Sequence, residues 1–526
     1  MRSVGLVLIP ALAASVSAAP SDAKIAGIDL GKIFDPPSWW WLPDLLKPKL
    51  TAKAYEKAVT IEGLLQHSRA LSRFAAIDGK NTRSFGTPGY NASVEYVEKW
   101  AKAYGYDVTR QTVLYPATEH LSQALTVGDK VFSPADLRIF QFVPSTPDGG
   151  AKGLIYHVNQ GCNPSDFEGT QGGIVLARRG NCTFVEKGEL AKATGVQGLI
   201  IYNDVPGQPL ASRLNISSIE QNPPTLAISF EAGREIIAKL EAGQELQTTL
   251  DIQVKNLVRP ADNVIAQTKW GDKNNVVMLG GHLDSVPAGP GINDDGSGTA
   301  GVAELLKQLA RFRKSKNAVR FAWWATEEVG LIGSRYYVEQ LSQAEKDKIA
   351  LYINLDMIAS PNYIIGIHDA DNSGGQNSGV PAPAGSNTLE ALTQDYYNDR
   401  GLNWTGTAFT AGSDYRPFLD AGIVAGGIAT GASGVKNQRE FDLFGGELGE
   451  WHDKCYHQPC DTLDNLNHDA FIRISRSVAY LIATLSADVS PIKNEAGLAA
   501  RGLPLSRRAP DEVSSLGKNC ADHPEL

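Results

Sequence analysis

From Asn263 to about Leu485 the chain alternates short apolar runs with helical patterns, and that alternation leaves few folds open. NNVVMLGGHLD reads as a strand ending at Asp284, NAVRFAWWATEE as a second ending at Glu328, and IALYINLDM as a third ending near Asp356. GSGTAGVAELLKQLARF and GLIGSRYYVEQL read as the helices that follow the first two. The expected fold is therefore α/β, a mainly parallel sheet with helices on both faces. In open sheets of this kind ligands gather outside the carboxyl ends of the strands. Three separate strands would thus deliver His282, Glu327, Glu328 and Asp356 to one edge.

An imidazole and several carboxylates at strand ends are ligand chemistry that suits zinc. The loop SVPAGPGINDDGSG adds Asp294 and Asp295 among glycines and a proline, where the backbone can turn tightly. A carboxylate such as Asp294 can bridge two cations about 3.5–4 Å apart, the spacing of two-metal hydrolases. A further ligand must come from elsewhere, and His457 qualifies, carried by the tight CYHQPC loop that Cys455 and Cys460 would close.

At 526 residues the chain suggests about two or three domains rather than one core. Its opening, MRSVGLVLIPALAASVSA, joins Arg2, a short apolar stretch and small residues, the pattern of a signal peptide spanning 1–19. Residues 20–68 read as a propeptide or a packed arm, with Trp39 to Trp41 as buried anchors and a helical pattern from about Tyr55 to Phe74. Residues 69–124 begin the catalytic domain, and the texture of short β-like runs with one helix over Phe184 to Thr194 marks an insert at 125–254. The catalytic domain resumes over 255–490 and a polar tail fills 491–526. No segment after the leader reads as a membrane span, and a net charge of −9 without a basic block argues against nucleic acid as a partner.

Secretion permits disulfides, and Cys162 with Cys182 and Cys455 with Cys460 are the economical pairs, leaving Cys520 beyond the dibasic Arg507-Arg508. Asn91, Asn181, Asn215 and Asn403 head glycosylation sequons that agree with a secretory route. Such a route leads to the cell exterior or to a lytic vacuole.

The insert's centre, GGIVLARRGNCTFVEKGELAKATGVQGLIIYND, closely resembles the protease-associated domain, a non-catalytic module of several peptidase families. The strings GGHLDSVPAGPGINDDGSG, WWATEEVGLIGS, INLDMIASPN and YHQPCDT closely resemble, in order and spacing, the co-catalytic dizinc aminopeptidase family, above all its secreted leucine-type members with that insert. The similarity runs from about Arg69 to Ala487. It implies two zinc ions per chain, with His282 and Asp356 on one, Glu328 and His457 on the other, and Asp294 as the bridge. It further implies Glu327 as general base, Tyr456 as hydrogen-bond donor to the tetrahedral intermediate, and Asp284 as the carboxylate that orients His282. Substrates would be peptides with a free N-terminus, and an apolar first residue such as Leu would be favoured. Where some members carry Arg before Ser-Asp, this chain has Gly412 before Ser413. Related folds also include carboxypeptidases, which carry an added dimerisation domain for which this chain has no room, non-enzymatic receptors that have lost ligands, and one-zinc cyclases. Every ligand position is intact here.

Overall fold

The computed structural model describes residues 24–25, 28–29 and 43–500, except 207, 208, 210, 211, 376–379 and 381. The leader, Trp39 to Trp41, the dibasic pair and Cys520 lie outside the described residues. The chain divides into two compact units, one taking the sequence up to Val113 and again from Ala261, the other Leu114–Pro260. The strands Asp107–Val127 and Gln247–Gln267 begin in one unit and end in the other.

The sheet of the first unit runs in the order Thr405–Thr407, Gly366–His368, Ala425–Ala429, Ile349–Leu355, Asp272–His282, Asn317–Trp324 and the end of Gln247–Gln267. Its four central strands are parallel, whereas Gln247–Gln267 joins Asn317–Trp324 antiparallel, as Gly366–His368 does Ala425–Ala429. Side chains of a strand alternate between faces, and here both faces are dry. Val277, Leu279, Val319, Phe321 and Ile353 pack with Leu71, Trp100, Leu306 and Ile474 of helices on one side. Val276, Met278, Ala322 and Tyr352 pack with Tyr337, Val338 and Phe418 on the other. The α/β fold with helices on both faces is thus as the sequence implies.

Several boundaries differ from the expectation. The pattern from Tyr55 to Phe74 is two helices, Ala52–Ala58 and Ile61–Ala75, because the Thr60 side chain accepts from Gly63 N and starts a new helix. The second catalytic strand stops at Trp324, and Glu327 and Glu328 sit beyond it in a single turn, Glu327–Val329. The insert holds a second helix, Phe230–Glu241, started by the Ser229 cap. Residues 490–500 continue as a helix rather than a polar tail. The helix His468–Ala487 is long and apolar enough to cross a bilayer, but 67% of that stretch is buried inside the unit, as a core helix would be.

The helix Gly296–Leu309 approaches the strand Ile349–Leu355 so closely that a Cβ on Gly298 would lie 2.2 Å from the Leu355 carbonyl oxygen. A Cβ on Gly301 would find its nearest neighbours on side chains, the tip of Ile358 at 3.0 Å and then Leu355 and Ser475 at 3.6 and 3.8 Å. Gly298→Ala must displace backbone and should cost about 3 kcal/mol or more, against about 1 kcal/mol or less for Gly301→Ala. Thermal unfolding of the two variants checks this, with Gly298→Ala melting lower.

Candidate metal centre

The site is built where the parallel strands end. His282 is the last residue of its strand, and its Nδ1 lies 3.0 Å from the Asp284 carbonyl oxygen. A carbonyl only accepts, so Nδ1 carries a proton and Nε2 is the ring nitrogen left to face inward. Nε2 stands 3.1 Å from Asp294 Oδ1, 3.7 Å from Asp356 Oδ1 and 3.9 Å from Glu327 Oε2. The other oxygen of Asp294, Oδ2, lies 3.1 Å from His457 Nε2, and that nitrogen is 3.0 Å from Glu328 Oε2. One carboxylate therefore faces two imidazoles, each flanked by a further carboxylate.

The charges strain against burial. Burial lowers the pKa of His282, but Glu327, Asp294 and Asp356 outweigh it and raise the imidazole well above its usual range. His457 is pushed up to about 10, against its burial, by its bonds to Asp294 and Glu328. Burial raises Asp294, yet the two imidazoles hold it below the usual carboxylate range. Glu328 is pushed up to about 7, by burial and then by the charge of Asp294, and its buried Oε1 has no hydrogen-bond partner. Burial, reinforced by Asp414, Asp356 and Glu328, raises Glu327 well above its ordinary value. A cluster of convergent carboxylates and imidazole nitrogens, one oxygen of it orphaned, fits divalent cations of the zinc type. His282, Glu327 and Asp356 form one group, and His282, Asp294 and Glu328 another, with ligand atoms within 4.8 Å of one another in each. A third acidic group, Asp369, Asp371 and Glu390, spends its oxygens on backbone N–H groups of Ala370, Ser373 and Gly374.

The backbone around these side chains is held in conformations that favour glycine. Thr326, Met357 and His457 have φ of 54°, 50° and 58°, beside Glu327, beside Asp356 and at the imidazole that faces Asp294 and Glu328. The Tyr456 ring stacks on His457 with centroids 3.8 Å apart. Asp284 faces His282 Nδ1 with its carbonyl oxygen at 3.0 Å and with Oδ1 of its carboxylate at 3.8 Å, and the same Oδ1 accepts from Glu327 N at 3.1 Å, so the carboxylate also holds the Glu327 turn. Cys455 and Cys460 are joined as expected, with Cα atoms 5.2 Å apart, and so are Cys162 and Cys182 at 5.8 Å.

Two positioning side chains escaped the sequence reading. Ser413 Oγ donates to Asp356 Oδ2 and accepts from Asn354 Nδ2 at 2.7 Å; it stands in the TAGSDYRPF string noted only for Gly412. Arg83 is fully buried and donates to the carbonyls of Leu283, Pro290 and Gly291, the last two at 2.9 and 2.6 Å. It therefore shapes the whole loop between His282 and Asp294. Arg83→Lys keeps the charge but cannot serve all three carbonyls. With two left unsatisfied, at about 1–3 kcal/mol each, the chain should lose roughly 2–6 kcal/mol, measured as a lower denaturant midpoint.

Residues 263–482 match the model of peptidase family M28, and residues 151–236 match the PA domain. The chain is 38% identical over 461 residues to leucine aminopeptidase 2 of Trichophyton equinum, covering 87% of this chain and 90% of that protein. An aminopeptidase from Aneurinibacillus sp. strain AM-1 superposes with a TM-score of 0.67 at 24% identity, over 83% of this chain and 96% of that one. A zinc aminopeptidase from Bacillus subtilis does so with a TM-score of 0.59 at 23% identity, over 83% and 95%. At these identities the two structures speak for the fold alone.

Proposed function

Because this chain belongs to peptidase family M28 and is akin to its leucine aminopeptidases, we propose that it is a secreted zinc aminopeptidase that holds two zinc ions and uses Glu327 as general base. The observation that carries the reading is Asp294, whose two oxygens face His282 and His457 at 3.1 Å each. His282 and Asp356 would hold one ion, Glu328 and His457 the other, and Asp294 both. Zinc bound there supplies Lewis acidity, which makes water easier to deprotonate and polarises a scissile carbonyl.

The protein's own groups do the rest. Glu327 lies beside the ligands with its carboxylate pKa raised by burial, which suits a group that takes a proton from the attacking water and later gives it to the departing amine. Addition of water to the carbonyl carbon moves the π electrons onto oxygen, and when they return the C–N bond breaks and that proton leaves on nitrogen. Tyr456, packed on His457, would donate its hydroxyl hydrogen to the oxygen on which charge develops. Carboxylates of the site would bind the substrate's free amine, and the favoured first residue would be apolar, such as Leu. The apolar leader, the two disulfides and the exposed Asn91, Asn181 and Asn403 support secretion and glycosylation.

Exopeptidase action requires that amine, so Leu-p-nitroanilide and free peptides should be cleaved while acetylated peptides are inert. Rapid cleavage of an acetylated peptide, or release of C-terminal residues first, contradicts the assignment. Glu327→Gln keeps the side chain's shape without its basicity, so bound zinc should stay while the rate falls by about 10²–10⁴. Asp294→Asn should instead lower zinc content and thermal stability together, because a bound ligand stabilises the folded state. Metal analysis of the two variants separates the roles.

A further inference from the structure

Beneath the centre lies a polar network that no step of the reaction uses. Asp461 is 1% exposed. Its Oδ2 accepts from the N–H of Asp294 at 2.9 Å, and its Oδ1 from the N–H of Asn293 at 2.8 Å and from Asn465 Nδ2 at 3.1 Å. Asp453 is fully buried. Its Oδ1 accepts from the N–H of Cys455 at 2.8 Å and its Oδ2 from Asn293 Nδ2 at 2.7 Å, while Asn465 Nδ2 reaches both oxygens at 3.0 and 2.9 Å. The donors are all amides. Burying two carboxylates side by side on neutral donors is costly, and a turn that needed only to be closed could be built from neutral side chains.

The network's connections give it a purpose. It fastens the loop that ends in Asp294 to the loop that carries Tyr456 and His457, two segments some 160 residues apart in the chain. The Cys455–Cys460 disulfide joins two residues of the second loop and so closes that loop on itself. We infer that Asp453 and Asp461 are positioning residues of the metal centre, which act through the N–H groups of Cys455 and Asp294, with Asn293 and Asn465 between them, to set Asp294 against His457. The inference rests on the two-metal reading of that site. The work falls to the carboxylates because each can accept several N–H groups at once, whereas an amide side chain has only one acceptor oxygen.

The test uses the full chain with zinc, and the cobalt-substituted protein as a spectroscopic reporter. Asp461→Asn and Asp453→Asn should each bind the more weakly held metal about 10–100-fold less tightly, the usual effect of removing an outer partner of a ligand. Each should also shift the visible bands of the cobalt form. Asn465→Ala, which leaves both carboxylates in place, should act in the same direction and decides the matter should either aspartate variant fail to fold. Variants that melt lower but keep the wild-type metal affinity and cobalt spectrum would show a structural turn and overturn the inference. A wild-type chain that retains one metal ion contradicts the two-metal reading itself, and with it the purpose given to this network.

Discussion

Asp295 is fully buried, and its carboxylate gathers three backbone N–H groups from three elements. Oδ2 accepts from His282 at 3.1 Å, and Oδ1 from Gly298 at 2.8 Å and from Met357 at 3.1 Å. One side chain therefore caps the helix Gly296–Leu309 and ties its start to the ends of two strands. Burial raises the carboxyl's pKa well above its usual range, and the helix N-terminus and N–H donors are what offset the desolvation. The room for it is made by glycine. A Cβ at Gly281 would come within 2.6 Å of Asp295 Oδ2 and 2.5 Å of the Leu355 carbonyl oxygen. With His282 and Met357 pinned in this way, His282 and Asp356 are presented by a frame that cannot relax independently.

The rest of the centre is costly on its own terms. Asp294, Glu327, Glu328 and Asp356 converge with two imidazoles, and three residues beside or within the site adopt left-handed backbone. Such strain persists only where the surroundings over-determine it. Arg83 supplies part of that rigidity, holding the loop from Leu283 to Gly291 by its carbonyls. Its fixed positive charge also stands near Asp295, Asp284, Asp461 and Asp294. A dense set of negative charges, held by a cation, amide donors and a helix terminus, is a setting in which divalent metal is the natural counter-charge.

Much of this was legible in the sequence because it lies in local patterns. The strands announced themselves as apolar runs, and His282 and Asp356 fall where those runs stop. The apolar pattern runs on into Glu327 and Glu328 because nothing in ATEE marks the left-handed turn at Thr326, just past the strand's end at Trp324. The helix Phe230–Glu241 was hidden by the β-like texture around it, although Ser229 ahead of Ile236 and Ile237 carried the signal of a cap and a buried face. What the sequence could not show are hydrogen bonds between distant segments. Ser413 meets Asp356 across 57 positions, and Asp461 meets the Asp294 backbone across 167. That the Asp284 carbonyl lies at 3.0 Å from His282 Nδ1 and its carboxylate at 3.8 Å is a difference of a fraction of an ångström that spacing does not encode.

Anomalous scattering at the zinc edge, from crystals grown with zinc and without chelator, should show two peaks in the first unit, one against His282 and Asp356 and the other against Glu328 and His457, with one oxygen of Asp294 toward each. A single peak, or density at the Asp369 and Glu390 group in place of these, would contradict the two-metal reading.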